Sequence, residues 1–85
     1  MVKYSIVFSR KAAKYLDKLP DNIAKPILSA IDTLADNPRP FGYKKLKGGN
    51  GYRIRSGDYR IIYEIFDNTL IVSVIDVGDR KDIYN

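Results

Sequence analysis

Eighty-five residues, 45% of them apolar, are the size of one small domain with a single core and little surplus stability. The chain has no cysteine and no histidine, which excludes disulfide staples, thiolate chemistry, imidazole metal ligands and histidine acid–base catalysis. The net charge of +5 is concentrated: residues 39–60 hold seven Lys/Arg against one Asp/Glu (+6), residues 1–38 six against four (+2), and residues 61–85 two against five (−3).

Val2 to Phe8 alternates Tyr4, Ile6 and Phe8 with Lys3, Ser5 and Val7 and predicts a first strand. No apolar leader precedes it and no window reaches the length of a membrane span, so the chain reads as soluble and cytoplasmic. Ser9 ends the strand and is placed to cap a helix from Arg10 to about Leu19, whose Ala12, Ala13, Leu16 and Leu19 form an apolar stripe beside Lys11, Lys14 and Lys18. Pro20-Asp21-Asn22 leads into a second helix, in which Ile23, Ile27, Ala30, Ile31 and Leu34 recur at spacings of three and four through about Asp36. With Asn22 as its N-cap, the favoured start, Pro26 falls in the first turn and removes only one early hydrogen bond; an earlier start would place a kink there. So short a link predicts an antiparallel helix pair covering one face of a sheet.

Asn37-Pro38-Arg39-Pro40 stops the second helix, because a residue before proline is pushed toward extended geometry. Phe41 to Gly51 is a basic loop, Lys44-Lys45-Leu46-Lys47 and then Gly48-Gly49-Asn50-Gly51, with room for a short strand and with Leu46 as its anchor. Its glycines lack the Gly-Lys-Ser/Thr ending and the strand-to-helix setting of a P-loop, and read as turn residues. Tyr52 to Tyr63 predicts a hairpin. Tyr52 and Ile54 alternate with Arg53 and Arg55, Ser56-Gly57-Asp58 makes the turn with Gly57 free to take a positive φ, and Arg60 begins an apolar second arm. After a turn at Asp67-Asn68-Thr69, the β-branched run from Leu70 to Val77 predicts a central strand covered on both faces. Residues 78–85 are too few and too polar for another core element. The order is β-α-α-β-β-β: an α+β, two-layer domain over residues 1–85, an αα-hairpin packed on a mostly antiparallel sheet.

Phe41, Tyr43, Tyr52 and Tyr59 are interleaved with the cations of the middle region, offering phosphate contacts together with rings on which bases stack. The same composition also describes a solvated basic face, or a docking surface for an acidic protein segment. Asp58, Glu64, Asp67, Asp76 and Asp79 are scattered through turns and strands. Each reads as a turn former, a strand-edge charge or an ion-pair partner, with Glu64 alone kept as a catalytic alternative. Fixed positive charge and phenols are what the chain supplies in quantity, and that set suits a phosphorane-like transition state on RNA.

Lys45-Leu46-Lys47-Gly48, the segment from Tyr52 to Tyr63, Val77-Gly78-Asp79-Arg80 and Ile83-Tyr84, in that order and spacing, resemble the RelE/ParE superfamily of toxins from type II toxin–antitoxin pairs. The Leu19-Pro20 junction and the Asn37-Pro38-Arg39-Pro40 exit extend the likeness over nearly the whole chain. The resemblance implies a RelE-like fold, two helices against a curved antiparallel sheet. For the RelE branch it implies a ribosome-dependent mRNA endonuclease that cuts in the A site by 2′-hydroxyl attack, inhibiting translation and arresting growth.

Carried over by position, the expected catalytic residues are Arg53 and Arg55 on the strand before the turn, Arg60 on the scissile phosphate, Arg80 at the transition state or leaving group, and Tyr84 stacking on or orienting a base. Lys44, Lys45, Lys47, Arg39 and Tyr52 are the expected RNA-binding residues. No metal or cofactor is implied. The expected partners are a RelB-like antitoxin, the ribosome with its A-site mRNA, and operator DNA together with the antitoxin; a membrane is not among them. One departure bears on mechanism: relatives carry lysines at strand positions where this chain has Arg53 and Arg55, and a pKa above ~12 makes arginine a poor base. Proton removal then falls to Lys45, Lys47 or a tyrosine, or the reaction depends on positioning and charge. Two other readings share the fold, a ParE-like toxin that binds DNA gyrase without cutting, and a non-catalytic module for antitoxin and operator.

Overall fold

Hairpin chemistry builds the sheet from its middle. The computed structural model describes residues 3–79, in which β3 (Gly51–Ser56) and β4 (Tyr59–Phe66) are joined by a two-residue loop. Gly57 has a φ of +60° at the first loop position, the type II′ arrangement whose twist matches the strands it joins. The register that follows pairs Tyr52 with Tyr63, Ile54 with Ile61 and Ser56 with Tyr59. β5 (Ile71–Asp79) lies antiparallel to β4, and β1 (Ser5–Phe8) lies parallel to β5. No tight turn joins β1 to β5, so parallel pairing is open to them. The basic loop forms the short strand for which it has room: β2 (Lys44–Lys45) pairs antiparallel with β3 and completes a five-stranded mixed sheet of order β1-β5-β4-β3-β2.

Both helices, α1 (Arg10–Asp17) and α2 (Asp21–Thr33), lay their apolar stripes on one face of this sheet. Ala12, Leu16, Ile27, Ile31 and Leu34 meet Ile54, Ile61, Tyr63, Val72, Val74 and Val77 in one core. Each large aliphatic side chain so buried contributes roughly 1.5–3 kcal/mol. A register shift between Ile62 and Tyr63 acts as a bulge, which lets Val74 and Val77, three residues apart, both enter the core. β5 is central as expected, with Val72 and Val74 buried and Ile71, Ser73 and Ile75 half-buried.

Several boundaries differ from the sequence reading for local reasons. β1 begins at Ser5 rather than Val2, since the Tyr4 amide is drawn off to the Ala35 carbonyl (2.8 Å) at the end of the helical layer. Ala13 is exposed: adjacent to Ala12, it is rotated about 100° from the buried stripe. α1 stops at Asp17 because Lys18 and Leu19 turn their amides to Tyr15 and Leu16, closing the last turn in 3₁₀ fashion. The N-cap of α2 is Pro20, not Asn22. The Pro20 carbonyl accepts from Ile23 and Ala24, both at 2.9 Å, and Pro26 therefore lies inside the helix rather than in its first turn. Leu70 belongs to the β4–β5 turn, with a φ of 55°, and not to the strand. Among the described residues no helix is long and apolar enough to cross a membrane.

Ser9 is the N-cap of α1. Its Oγ accepts from the Ala12 amide (3.0 Å) and donates to the Ile75 carbonyl (2.9 Å), tying the helix start to β5. Ser9→Ala is expected to cost about 1 kcal/mol in a urea unfolding curve; an unchanged midpoint would show that water replaces both bonds.

Candidate functional site

Cross-strand partners share a face of a sheet, so the strand register sorts the basic residues into two groups. Lys44, Arg53, Ile62 and Asp76 fall in one row, and Arg55, Arg60 and Gly78 in the next, on the face away from the helices. Lys45 and Tyr52 fall in the row of Tyr63, on the helix side. The alternation of Arg53 and Arg55 against Tyr52 and Ile54 is therefore real, and it brings Arg53, Arg55 and Arg60 together from the two arms of one hairpin.

Arg53 feels the other two guanidiniums. Arg53 is held below the usual arginine range, first by partial burial and then by the positive charges of Arg60 and Arg55. It remains a cation at any ordinary pH. Arg60 is buried to 6% exposure, whereas Arg55 is exposed. Like charges held this close by a rigid sheet form a site that an anion relieves, and a phosphate with two free oxygens matches the guanidinium fork.

β2 pairs with Tyr52 and Arg53, and the Leu46 amide donates to the Gly51 carbonyl, leaving β3 from Ile54 to Ser56 open on that edge. A cleft of about 530 Å³ opens there, lined by Ala30 and Thr33 of α2, the turn from Pro40 to Gly42, and Lys44, Arg53 and Arg55. Lys44 thus lines the cleft, while Lys45 lies on the opposite face and Lys47 is exposed in the following loop. Arg80 and Tyr84 lie outside the described residues.

Arg39 and Tyr52 stand apart from the arginine row and are engaged elsewhere. Arg39 grips Asp67 with both guanidinium nitrogens, at 2.9 and 3.3 Å, and its charge sits 5.7 Å from the centre of the Tyr52 ring. The Tyr4 hydroxyl donates to the same carboxylate at 2.6 Å. Arg39 is raised further by the Asp67 bond and then by Tyr52; Asp67 is lowered by Arg39 and then by Tyr4; Tyr4 is raised chiefly by its bond to Asp67. Sequence reading missed Asp67 as the partner of Arg39, because 28 residues separate them and a turn aspartate carries no signal of a long-range contact.

A pH dependence follows. Asp67 has a folded pKa below its unfolded value of about 3.9, so its contribution to stability is present above that value and is lost as pH falls through the folded pKa. Asp67→Asn is expected to melt below the wild type at pH 7, with the gap closing below pH 4. A gap constant with pH would mean that the amide loses packing rather than charge.

Similarity to known proteins bears on this geometry. The family model for the ParE toxin of type II toxin–antitoxin systems, parDE, matches residues 6–84. The mRNA interferase toxin RelE of Escherichia coli K12 is 30% identical, over 96% of this chain and 90% of its own. In the RelBE2 toxin–antitoxin complex of Mycobacterium tuberculosis, a chain superposes with a TM-score of 0.83 at 29% identity, covering 94% of each chain. The archaeal RelE–RelB complex of Pyrococcus horikoshii gives 0.80 at 29% identity, covering 94% of this chain and 97% of the other.

Proposed function

Since the chain belongs to the RelE/ParE toxin family of type II toxin–antitoxin systems, we propose that it is the endonuclease kind of toxin, a ribosome-dependent mRNA interferase. The observation that carries this reading is the convergence of Arg53, Arg55 and Arg60 on one face of the sheet, with Arg53 and Arg55 lining an open cleft together with Lys44 and with Arg60 buried beside them. In the proposed reaction the 2′-oxygen of one nucleotide attacks the next phosphorus, the P–O5′ bond breaks, and the products are a 2′,3′-cyclic phosphate and a free 5′-hydroxyl. Negative charge builds on the non-bridging oxygens at the pentacoordinate stage. Fixed guanidiniums there stabilise it without having to reorganise.

Arg60, buried and held by the middle of the sheet, is suited to fix the scissile phosphate, and exposed Arg55 to meet the charge that develops. Arg80 and Tyr84, which follow β5 in the chain, are proposed to assist the leaving group and to orient a base. The proton acceptor is not one of the arginines. The partner that silences the toxin is proposed to be a RelB-like antitoxin, since the Mycobacterium tuberculosis and Pyrococcus horikoshii relatives were solved as toxin–antitoxin complexes. An acidic segment complements the +6 region, and the setting is the cytoplasm, where ribosomes are.

Primer extension on mRNA in programmed ribosomes, comparing wild type, Arg80→Ala and a ribosome-free control, tests the proposal. Cuts at the A site that need both ribosomes and Arg80 are expected; a folded protein that leaves mRNA intact would overturn it. The matched ParE model favours a second reading, a gyrase-binding toxin, which a supercoiling assay separates from the first.

A further inference from the structure

Phe41 is fully exposed, at 107% relative accessibility, while the other large apolar side chains at the described surface stay between 37% and 47%. A single exposed apolar residue needs no explanation by itself. The turn that carries this one is fastened at several points. Phe41 occupies the second position of that turn, which is closed by the Tyr43 amide on the Pro40 carbonyl (3.0 Å), and Gly42 follows with a φ of +91°, the type II pattern.

The turn is fastened on both sides. The Tyr63 hydroxyl donates to the Pro38 carbonyl (2.7 Å), the Arg39 amide donates to Asn37 Oδ1 (3.1 Å), Arg39 is clamped by Asp67, and the Tyr43 ring packs 5.9 Å from that of Tyr52. So the loop is rigid while its tip ring touches open solvent. That ring stands at the lip of the cleft lined by Lys44, Arg53 and Arg55.

We propose that Phe41 is a stacking platform for a nucleobase of the RNA strand whose phosphates rest on Arg53 and Arg55. The inference rests on the reading of the arginine cleft as an RNA site and adds to it a residue that holds a base by stacking. A π-face accepts any base, the cations beside it take the adjoining phosphates, and a pinned turn lowers the cost of ordering the loop on binding. The cleft sets Thr33, Lys44, Arg53 and Arg55 beside the apolar Ala30, Pro40 and Ile54, and three cations next to an exposed ring suit a polyanion with aromatic bases.

The chain contains no tryptophan, so Phe41→Trp makes a single-tryptophan reporter of the site, excited selectively over the tyrosines. Titration with a 2′-O-methyl RNA oligonucleotide, which binds but cannot be cut by 2′-attack, is expected to quench the indole. Inorganic polyphosphate, a matched polyanion without bases, is expected to bind without quenching. Phe41→Ala should weaken the oligonucleotide about ten-fold and leave polyphosphate unchanged, and Phe41→Tyr should restore it where Phe41→Leu does not.

An indole silent to bound RNA, or equal affinity of wild type and Phe41→Ala, overturns the platform while leaving the phosphate cleft standing. Wild type that binds neither polyanion overturns the cleft reading and the platform with it. Phe41→Ala that loses only antitoxin binding assigns the ring to a protein contact, against the proposal.

Discussion

Arg55→Ala is expected to lower A-site cleavage about 10²–10³-fold, the usual loss when one preorganised group facing transition-state charge is removed. Arg55 is the residue on which to read this effect, since its side chain is exposed and its removal opens no cavity. The unfolding midpoint should stay within about 0.5 kcal/mol of wild type, as for other surface substitutions. Arg53 gains from the change: it loses one of the two positive neighbours that lower its pKa. Arg55→Lys should recover part of the rate, because the charge returns while the planar two-toothed grip does not. Single-turnover rates on programmed ribosomes measure both variants against wild type. An unchanged rate for Arg55→Ala would make the arginine row a docking surface, and attention would pass to gyrase or to a purely binding role.

The hairpin was legible in the sequence because two local rules agree there. Alternation assigns Arg53 and Arg55 to one face, and a glycine between β-prone arms marks the turn, so the register follows without any long-range information. Ser9 was legible for the same reason: capping is decided within three residues. What the sequence did not disclose depends on residues far apart or on competing local options. Arg39 and Tyr52 look like members of the basic cluster by charge and proximity in the chain, yet Asp67 and the parity of β3 hold them on the helix side. Lys44 and Lys45 are indistinguishable by composition, and only pairing with Arg53 and Tyr52 separates the cleft lysine from the other. At the start of α2, Pro20 and Asn22 both serve as start signals, and the doubly accepting Pro20 carbonyl wins.

Tyr63 is where the fold and the site are mechanically joined, and its substitutions carry the largest expected loss of stability. The side chain is fully buried, its ring lies 5.9 Å from that of Tyr52 at 28°, and its hydroxyl is bonded to the Pro38 carbonyl. Burial pushes the phenol pKa up, so it stays a neutral donor at any working pH. Tyr63→Ala should cost about 3–5 kcal/mol, as for other large aromatic truncations in a core. A domain of this size has roughly 4–13 kcal/mol in all, at 0.05–0.15 kcal/mol per residue, so the variant is expected at the edge of unfolding. Tyr63→Phe separates packing from the hydrogen bond. It keeps the ring and leaves the buried Pro38 carbonyl without its donor, at a cost of about 1–3 kcal/mol. It should also free the segment that carries Phe41 and Lys44 to the cleft lip, so that cleavage falls at temperatures where the protein is still fully folded. Urea midpoints and single-turnover rates on the same samples decide the matter. A destabilised but fully active Tyr63→Phe would show that Arg39 and Asp67 suffice to hold the turn, and a variant with neither defect would mean that water takes the place of the hydroxyl.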